Sequence, residues 1–186
     1  MELRNKTLLW ILSLKSPYGG NIIPSLLRLA ERLCSDSQAL IIWAFPQQEP
    51  KEWLSAIEQK YRVCYIAGGY AERKAEMHRL LQDVKPDIVH THFGMYDLPV
   101  VQAARTLRMP VKVVWHLHCH LNPLNIKGEE VSSLRLLRRV LSYIRVYKGY
   151  SRKVFLVAVS SEVAYYADYY RHHWSFLPPP LWALRN

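Results

Sequence analysis

The sequence predicts an α/β fold in which a mostly parallel sheet is covered by helices on both faces. Three observations carry this prediction. Short apolar runs rich in β-branched and aromatic residues alternate with helical patterns along the chain. Most of these runs are apolar at every position, which is typical of strands buried on both faces of a parallel sheet. The length of 186 residues gives enough chain to bury the core of one such domain.

Six strands and six helices are predicted in alternation. The strands are Thr7–Leu14, Ala39–Phe45, Val63–Ala67, Asp87–His92, Val111–His118 and Val154–Ser160. The helices are Pro24–Leu33, Glu52–Lys60, Ala71–Val84, Leu98–Arg108, Val131–Tyr147 and Glu162–Tyr170. Pro24 suits a first helical turn, where a missing N–H costs nothing, whereas Pro86 and Pro110 mark places where a helix must stop. Strict alternation implies right-handed crossovers and a doubly wound, Rossmann-like sheet.

The cysteines and the apolar runs of the sequence bear on the cellular location of the protein. The three cysteines, Cys34, Cys64 and Cys119, are odd in number and widely spaced, which argues against a disulfide framework and predicts a reducing, cytoplasmic location. The apolar run near the amino terminus is followed by Lys15 and lacks a small-residue cleavage site, so it is interpreted as a buried strand rather than a signal peptide. No apolar run has the length of a membrane span.

Adjacent glycines lie between the first predicted strand and the first predicted helix. At this place Gly19 and Gly20 allow a close approach of the backbone to an anion, and the helix amino terminus offers free N–H groups. The stretch matches neither the dinucleotide fingerprint nor a P-loop. A tight turn that needs positive φ explains the glycines equally well, and both interpretations stay open at this point.

Histidines cluster at the ends of two predicted strands. Alternation along a strand places His90 and His92 on one face, and the next strand does the same for His116, His118 and His120 if it continues that far. Some of these are expected to be structural, and at least one suits a base or hydrogen-bond partner for a hydroxyl substrate. A catalytic metal with Asp97 as a further ligand is a weaker alternative, because no metal-binding motif is present.

The net charge of +10 favours anionic partners, and one predicted helix carries much of it. Within 131–153 there are seven basic residues and no acidic one. The apolar side of this helix is expected to face the sheet, and the opposite side carries Arg135, Arg138, Arg139 and Arg145. This stripe suits anionic lipid headgroups or a charged substrate, although a solvated helix face is the plain alternative. Nucleic acid is not expected, because no recognised binding motif appears.

The order of these segments resembles the N-terminal domain of the family 4 glycosyltransferases. The segments are "YGGNIIPSLLRLAERL", "KPDIVHTHFG", "PVKVVWHLHCH", a basic helix and "VFLVAVSSEVA", and the resemblance runs from Leu8 to Pro180. Members of this family are retaining enzymes that use nucleotide sugars and have the two-domain GT-B fold. The resemblance therefore implies a nucleotide-diphosphate sugar as donor substrate, with no cofactor and no catalytic metal.

Site residues are carried over from this resemblance by position. Gly19, Gly20 and Asn21 match the family's glycine loop, which lies near the donor diphosphate and faces the acceptor. His118 matches the histidine that lies beside the transferred sugar and assists binding or catalysis, with His116 or His120 as alternatives for this position. The remaining substrate-binding matches are His92, Gly94, Ser160 and Ser161.

The resemblance covers only one of the family's two domains. We therefore expect residues 1–177 to form an acceptor-side domain and residues 178–186 to begin an interdomain linker, with the donor-binding domain absent. The expected function is the acceptor half of a transferase for a glycan or lipid-linked acceptor, in surface polysaccharide or glycolipid synthesis at the inner face of the cell membrane. The isolated chain is expected to have little or no activity. The alternatives are a non-catalytic binding or regulatory subunit and, less favoured, a metal-dependent hydrolase.

Overall fold

The computed structural model describes residues 3–67, 72–118, 141 and 153–172, and within them the first five strands alternate with helices as predicted. The strands are β1 (Thr7–Leu12), β2 (Leu40–Pro46), β3 (Arg62–Ile66), β4 (Ile88–His92), β5 (Lys112–Leu117) and β6 (Phe155–Ala158). The helices are α1 (Ile22–Ser37), α2 (Glu52–Glu58), α3 (Arg73–Val84), α4 (Asp97–Thr106) and α5 (Ser161–His172). The predicted helix Val131–Tyr147 lies outside the described residues except for position 141.

The six strands form one parallel sheet in the order β3-β2-β1-β4-β5-β6. In the central register Trp10 of β1 lies between Trp43 of β2 and His90 of β4. The Trp10 and Trp43 rings meet edge to face with their centroids 4.9 Å apart. The predicted doubly wound, Rossmann-like α/β fold is therefore confirmed.

One face of the sheet packs on α1 and α2. Side chains at alternate positions of β1 and β2 form this core with one side of each helix, because successive residues of a strand point to opposite faces. The buried members are Leu8, Trp10, Leu12, Ile41, Trp43, Phe45, Ile23, Leu26, Ala30, Leu54 and Ile57. Each large side chain removed from water in this way contributes about 2 kcal/mol to the free energy of unfolding.

The opposite face of the sheet is covered by α3 and α4. Leu9 and Ile11 of β1 alternate with the residues of the first core and are fully buried. The hydroxyl group of Thr91 on β4 donates a hydrogen bond to the carboxylate of Asp97, the first residue of α4. This bond fixes the side of the sheet on which α4 lies, and α3 packs against α4. Helices thus cover both faces.

The ends of one helix and one strand differ from the sequence prediction. The first difference exceeds two residues, and the second affects the loop that borders the site. Helix α1 continues to Ser37 rather than Leu33, and it ends where Gln38 adopts a left-handed conformation with φ of 51°. The N–H group of Gln38 bonds to the Cys34 carbonyl at 3.1 Å, so the helix is terminated without a glycine. Strand β1 ends at Leu12 rather than Leu14, because the following backbone turns toward side chains of α2 and the segment before it.

The chain divides into two compact units between Val114 and Trp115, a boundary that falls inside β5. The described part of the first unit holds β1–β4, α1–α4 and the start of β5. The described part of the second holds the end of β5, β6 and α5, and in it the Val159 N–H group donates to the Leu117 carbonyl at 3.2 Å. No helix among the described residues is long and apolar enough to cross a membrane. The domain bounds 1–177 and 178–186 stay a prediction.

Candidate functional site

The strand order reverses between β1 and β4, in the middle of the first unit. The chain leaves β1 for α1 on one face, and it leaves β4 for α4 on the other face. The carboxyl ends of these two neighbouring strands therefore border a crevice, which is where ligands bind in open sheets of this kind. Five of the predicted site residues lie in the segments that follow or end these strands: Gly19, Gly20, Asn21, His92 and Gly94.

The two glycines after β1 are required for different reasons. Gly20 has a φ of +54°, and a Cβ atom added to it would have nothing within 4 Å, so this position needs backbone freedom and borders open space. A Cβ atom on Gly19 would lie 3.1 Å from the Ile23 Cβ and 3.2 Å from the Trp53 Cβ. Gly19 therefore allows close packing of the loop against α1 and α2.

The loop between β1 and α1 is held by Lys51, which precedes α2. The Lys51 ammonium group donates to the Lys15 carbonyl at 2.6 Å, to the Ser16 carbonyl at 3.1 Å and to Gln48 Oε1 at 2.9 Å. The Trp53 indole N–H group donates to the Ser16 carbonyl at 3.3 Å. An ammonium group has three donors, and these three bonds use all of them. Lys51 therefore holds the loop in place, and we call it the clamp of the loop. This role of Lys51 has no local signal in the sequence, because 36 positions separate Lys51 from Lys15.

The amino terminus of α1 follows the glycines directly. Asn21 is the cap residue and makes no side-chain capping bond, and the first turn contains no acidic side chain. Pro24 lies in this turn, as predicted. The positive end of the helix dipole is therefore not neutralised by a side chain of its own first turn, which suits an anion such as a phosphate group.

His90 and His92 lie on the same face of β4, as the alternation of the strand predicts. Their ring centroids are 4.4 Å apart, and two imidazoles at this spacing are potential ligands for one metal ion. His92 is fully buried, and the Ser13 hydroxyl group after β1 donates to the His92 carbonyl at 3.4 Å. We therefore expect His92 to support the residues that follow it and border the crevice, rather than to be exposed in the crevice itself.

The turn after β4 has an unusual backbone. Phe93 and Gly94 have φ values of 67° and 72°, and for a bulky residue such as Phe93 this left-handed conformation is strained. The Met95 N–H group closes the turn onto the Phe93 carbonyl at 2.8 Å, and the Phe93 side chain is partly exposed. Strained backbone of this kind clusters at binding sites, so the turn adds Phe93 to the candidate site.

The predicted histidines of β5 lie in the second unit. The His116 and His118 rings are stacked with centroids 4.5 Å apart. Burial, together with the proximity of His116, lowers the pKa of His118 to about 4, and burial lowers the pKa of His116. Both imidazoles are consequently neutral near pH 7, and in this form each ring has one hydrogen-bond donor and one acceptor. His120 and the four arginines of the basic stripe lie outside the described residues.

The serine pair after β6 is explained in part by helix capping. The Val163 N–H group donates to Ser160 Oγ at 3.2 Å, which makes Ser160 the amino-terminal cap of α5. Ser161 is the first residue of this helix, and both serines are exposed. Their hydroxyl groups therefore remain accessible at the carboxyl end of β6.

A cavity of about 490 Å³ lies at the opposite edge of the sheet, before the amino ends of β4 and β5. Its lining is Gln82, Lys85, Pro86, Asp87, Leu107, Met109 and Pro110. None of the predicted site residues is among them. Cavity volume therefore does not identify the candidate site, which rests on the switch point and on the chemistry of the groups there.

The family of the chain follows from its sequence. Residues 25–181 match a protein-family model described as Glycosyltransferase Family 4. The chain belongs to this family. A search of curated protein sequences found no match.

Solved structures with a similar fold support the architecture of this family 4 glycosyltransferase domain. MnaA of S. aureus, in a co-structure with UDP, aligns with a TM-score of 0.55 at 13% identity over 91% of this chain and 43% of that chain. Alr3699/HepE of Anabaena, in complex with UDP, aligns with a TM-score of 0.54 at 14% identity over 87% of this chain and 39% of that chain. The family 4 chain thus spans less than half the length of either structure.

Proposed function

We propose that the chain is the acceptor-side half of a nucleotide-sugar-dependent glycosyltransferase. In this proposal residues 1–177 bind a glycan or lipid-linked acceptor, and a donor-binding lobe outside this chain supplies most contacts to the nucleotide. The single observation that carries the proposal is that a family 4 domain has its glycine loop and its strained β4 turn at the two sides of the switch-point crevice. A longer polypeptide or a partner chain would provide the second lobe.

The first unit would contribute the wall of the cleft. The open space at Gly20 suits a diphosphate, as does the amino terminus of α1, which has no side-chain capping bond and no acidic residue in its first turn. The two solved structures with similar folds were determined with UDP. Gly94 and the partly exposed Phe93 would face the acceptor, with His92 behind them. A sugar ring suits this surface, because Phe93 supplies an aromatic side chain and the neighbouring backbone of the turn supplies polar groups.

His118 and its neighbours would contribute polar groups that bind the substrate. His118, with a pKa lowered to about 4, is neutral at pH 7, and its imidazole would hydrogen-bond to hydroxyl groups of the substrate. His116 and His120 are the neighbouring candidates, and the exposed hydroxyl groups of Ser160 and Ser161 would bind substrate. Closure of the second lobe would exclude water and complete the site.

The acceptor is proposed to reach the cleft from a membrane. The chain has a net charge of +10, and Arg135, Arg138, Arg139 and Arg145 would contact anionic headgroups at the cytoplasmic face. A lipid-linked acceptor in surface polysaccharide or glycolipid synthesis fits such a location.

A transfer assay tests the proposal. Purified chain, radiolabelled UDP-sugars and a membrane lipid extract are combined with and without the protein that co-purifies with the chain. We expect no transfer by the chain alone and transfer when a partner carrying a donor lobe is added. His118→Asn should lower this transfer by about fivefold, since a hydrogen bond to the substrate contributes about 1 kcal/mol.

The matched control is His78→Asn on α3, which should leave transfer unchanged. Turnover by the chain alone would contradict the proposal. A co-purifying partner that is already a complete transferase would instead support a regulatory subunit. Hydrolytic activity that depends on zinc or manganese and is lost in His92→Ala would support the alternative of a metal-dependent hydrolase.

A further inference from the structure

The cavity of about 490 Å³ before the amino ends of β4 and β5 has no part in the proposed function. Its volume is within the range of small-molecule sites, about 300 to 1,000 Å³. It lies where residues 85–87 lead from α3 to β4 and residues 107–111 lead from α4 to β5. Both connections belong to the first unit, and they lie at the end of the strands opposite the crevice. A ligand in this cavity would therefore be separate from the candidate site.

Backbone hydrogen bonds hold the walls of the cavity in place. The two connections contain Lys85 and Arg108, which adopt left-handed conformations with φ of 49° and 52° and end the helical paths before them. The Lys112 N–H group donates to the Asp87 carbonyl at 3.0 Å and joins the two connections. The Asp87 N–H group donates to the Thr7 carbonyl at 2.9 Å and joins them to β1. The cavity is therefore preformed, as small-molecule sites usually are.

The lining of the cavity is mostly apolar. Pro86 is buried, and Leu107 and Met109 are half-buried, so part of each of these two side chains is accessible to a ligand. Covering this apolar surface with a hydrocarbon group removes it from water, which is favourable. The unbranched side chain of Met109 adapts to the shape of such a group. The lining therefore favours a ligand with a hydrocarbon part.

The polar residues of the lining differ in what they offer to a ligand. The Asp87 carboxylate accepts hydrogen bonds from the Lys6 ammonium group and the Thr7 N–H group, both at 2.9 Å, so its charge is already compensated. Gln82 and Lys85 are exposed, and within the described part of the chain their side chains make no hydrogen bond or ion pair. An amide N–H group and an ammonium group are therefore available, and both donate to anionic oxygen atoms.

Charges around the cavity also favour an anion. Arg105, Arg108 and Lys112 are exposed beside the lining residues in sequence, and none of them has an ion pair in the part of the chain that the structure describes. Asp83 of α3 is already paired with Arg79 at 3.1 Å. The carboxyl ends of α3 and α4 each carry about half a negative charge, which the full charges of the three cations exceed. The surface around the cavity is therefore positive.

We propose that this cavity is a second binding site, for a small amphipathic anion that consists of a hydrocarbon chain and an anionic head group and is bound as a free molecule. The hydrocarbon chain packs on Leu107 and Met109, and the head group accepts hydrogen bonds from Lys85 and Gln82. An anion is favoured over a cation because the Asp87 carboxylate is already paired, whereas the ammonium group is available. This site does not depend on the function proposed for the crevice.

Binding of probes that share a decyl chain tests the proposal on the isotope-labelled 186-residue chain. Decanoate, decanol and decyltrimethylammonium differ in charge, and each is titrated below its micelle concentration and followed by NMR. We expect decanoate to shift the signals of Gln82, Lys85 and Met109. Decanol should shift them with weaker affinity, and the cation should leave them unchanged. Decanoate shifts confined to other residues, or equal affinity for decyltrimethylammonium, would overturn the proposal.

Replacement of Lys85 tests the position of the head group. Lys85→Met should weaken decanoate binding by about fivefold and leave decanol binding unchanged, because an exposed ion pair contributes modestly. Lys85→Arg should keep the wild-type affinity. The matched control is Lys74→Met, which removes an exposed lysine of α3 about 16 Å from Lys85 along the helix axis. Equal weakening in Lys74→Met would mean that general charge attraction binds decanoate, and the site would be refuted.

A variant that fills the cavity provides a second test. Gln82→Trp introduces a bulky side chain at an exposed position of α3, so it should leave the fold intact and abolish the binding of decanoate and decanol alike. Decanoate binding that persists in this variant contradicts the site. Phosphatidylglycerol vesicles distinguish a free ligand from membrane lipid. A loss of vesicle binding in Lys85→Met without any loss of decanoate binding would assign this surface to a membrane and overturn the proposal.

Discussion

Replacement of Gly20 tests whether its position needs a left-handed backbone conformation. Gly20 needs a φ of +54° but has open space around it. Gly20→Val should lower the free energy of unfolding by about 1 to 2 kcal/mol, because a β-branched residue is strained in this conformation. Gly20→Asn should cost less, since Asn tolerates it. Urea unfolding of the three proteins checks this order, and equal stability of the Val and Asn variants would contradict it.

Asp87 gives a pH-dependent contribution to stability. The Thr7 N–H group and then the Lys6 ammonium group hold the pKa of Asp87 below 3.8, the value of an unperturbed aspartate. Because the folded-state pKa is the lower one, the carboxylate stabilises the fold above pH 3.8 and loses this effect as the pH falls through the folded-state pKa. Asp87→Asn should reduce stability at pH 7 by less than about 1 kcal/mol, since the ion pair is partly exposed.

Thermal unfolding at pH 7 and pH 3 measures the Asp87 effect. The difference between wild type and Asp87→Asn should shrink at the lower pH. Asp83→Asn, in an exposed ion pair on α3, is the matched control for charge and should change stability less at pH 7. A difference for Asp87→Asn that is constant with pH would contradict the account.

Single residues were predicted where their chemistry is visible in the sequence. Gly19, Gly20 and His92 were named as site residues because glycine and histidine at strand ends are distinctive, and their part in substrate binding stays a prediction. The left-handed conformation of Phe93 has no such signal, because its residue type argues against it. Asp97 appeared only as a potential metal ligand, since burial arises from packing and not from local sequence.

At the scale of elements, the described strands and helices were predicted with errors at their ends. Strands were found because their β-branched and aromatic runs are bounded by polar residues and prolines. The end of α1 at Ser37 was missed because Gln38 takes the place that glycine usually has. The end of β1 was missed because Lys51 and Trp53, far along the chain, draw the loop away from the sheet.

The clamp on the loop between β1 and α1 can be tested at this scale. Lys51→Met removes the ammonium bonds to the Lys15 and Ser16 carbonyls. Amide hydrogen exchange in residues 15–20 should become about tenfold faster, because bonds to a charged donor contribute about 1.5 kcal/mol. Lys51→Arg should restore part of the protection.

Lys60→Met is the matched control for the clamp, because Lys60 bonds only to the exposed Glu31 in a surface ion pair. Its exchange pattern in residues 15–20 should equal that of the wild type. Unchanged exchange in Lys51→Met would show that the Trp53 bond and the packing of Gly19 hold the loop without the ammonium group.

At the scale of the whole molecule, charge predicts a salt-dependent affinity for anionic membranes. The net charge of +10 should bring the chain to phosphatidylglycerol vesicles at low salt and leave phosphatidylcholine vesicles unbound. Binding should fall steeply as salt approaches 0.5 M, where the screening length is only about 4 Å. Vesicle sedimentation measures this, and replacing Arg135, Arg138, Arg139 and Arg145 by Gln should abolish most of the binding.

The control for membrane binding removes the same charge from the first unit. The exposed residues Arg28, Arg32, Arg62 and Lys74 are replaced by Gln together. This variant should keep most of its binding if the stripe is the contact. Equal loss in both variants would mean that net charge alone determines vesicle binding.

The sequence predicted the architecture of the molecule better than its chemistry. Alternating elements imply a doubly wound sheet, whereas the switch point between β1 and β4 is known from the strand order of the structure. The order of motifs predicted the family that the match to residues 25–181 confirms. The roles of His118 and Ser160 stay predictions, because they depend on substrate atoms and on a second lobe.

The place of β1 between β2 and β4 has a consequence for folding kinetics. Pairing with β2 joins neighbouring segments, whereas the bond from Thr7 N–H to Asp87 spans 80 positions. Closing the longer loop costs more entropy, so we expect the β3-β2-β1 half to form first and β4 to dock last. Pulse-labelling hydrogen exchange should show later protection in β4 than in β2. The crevice between β1 and β4 is then the last part of the first unit to form. A newly made chain can therefore bind a ligand there only when its folding is complete.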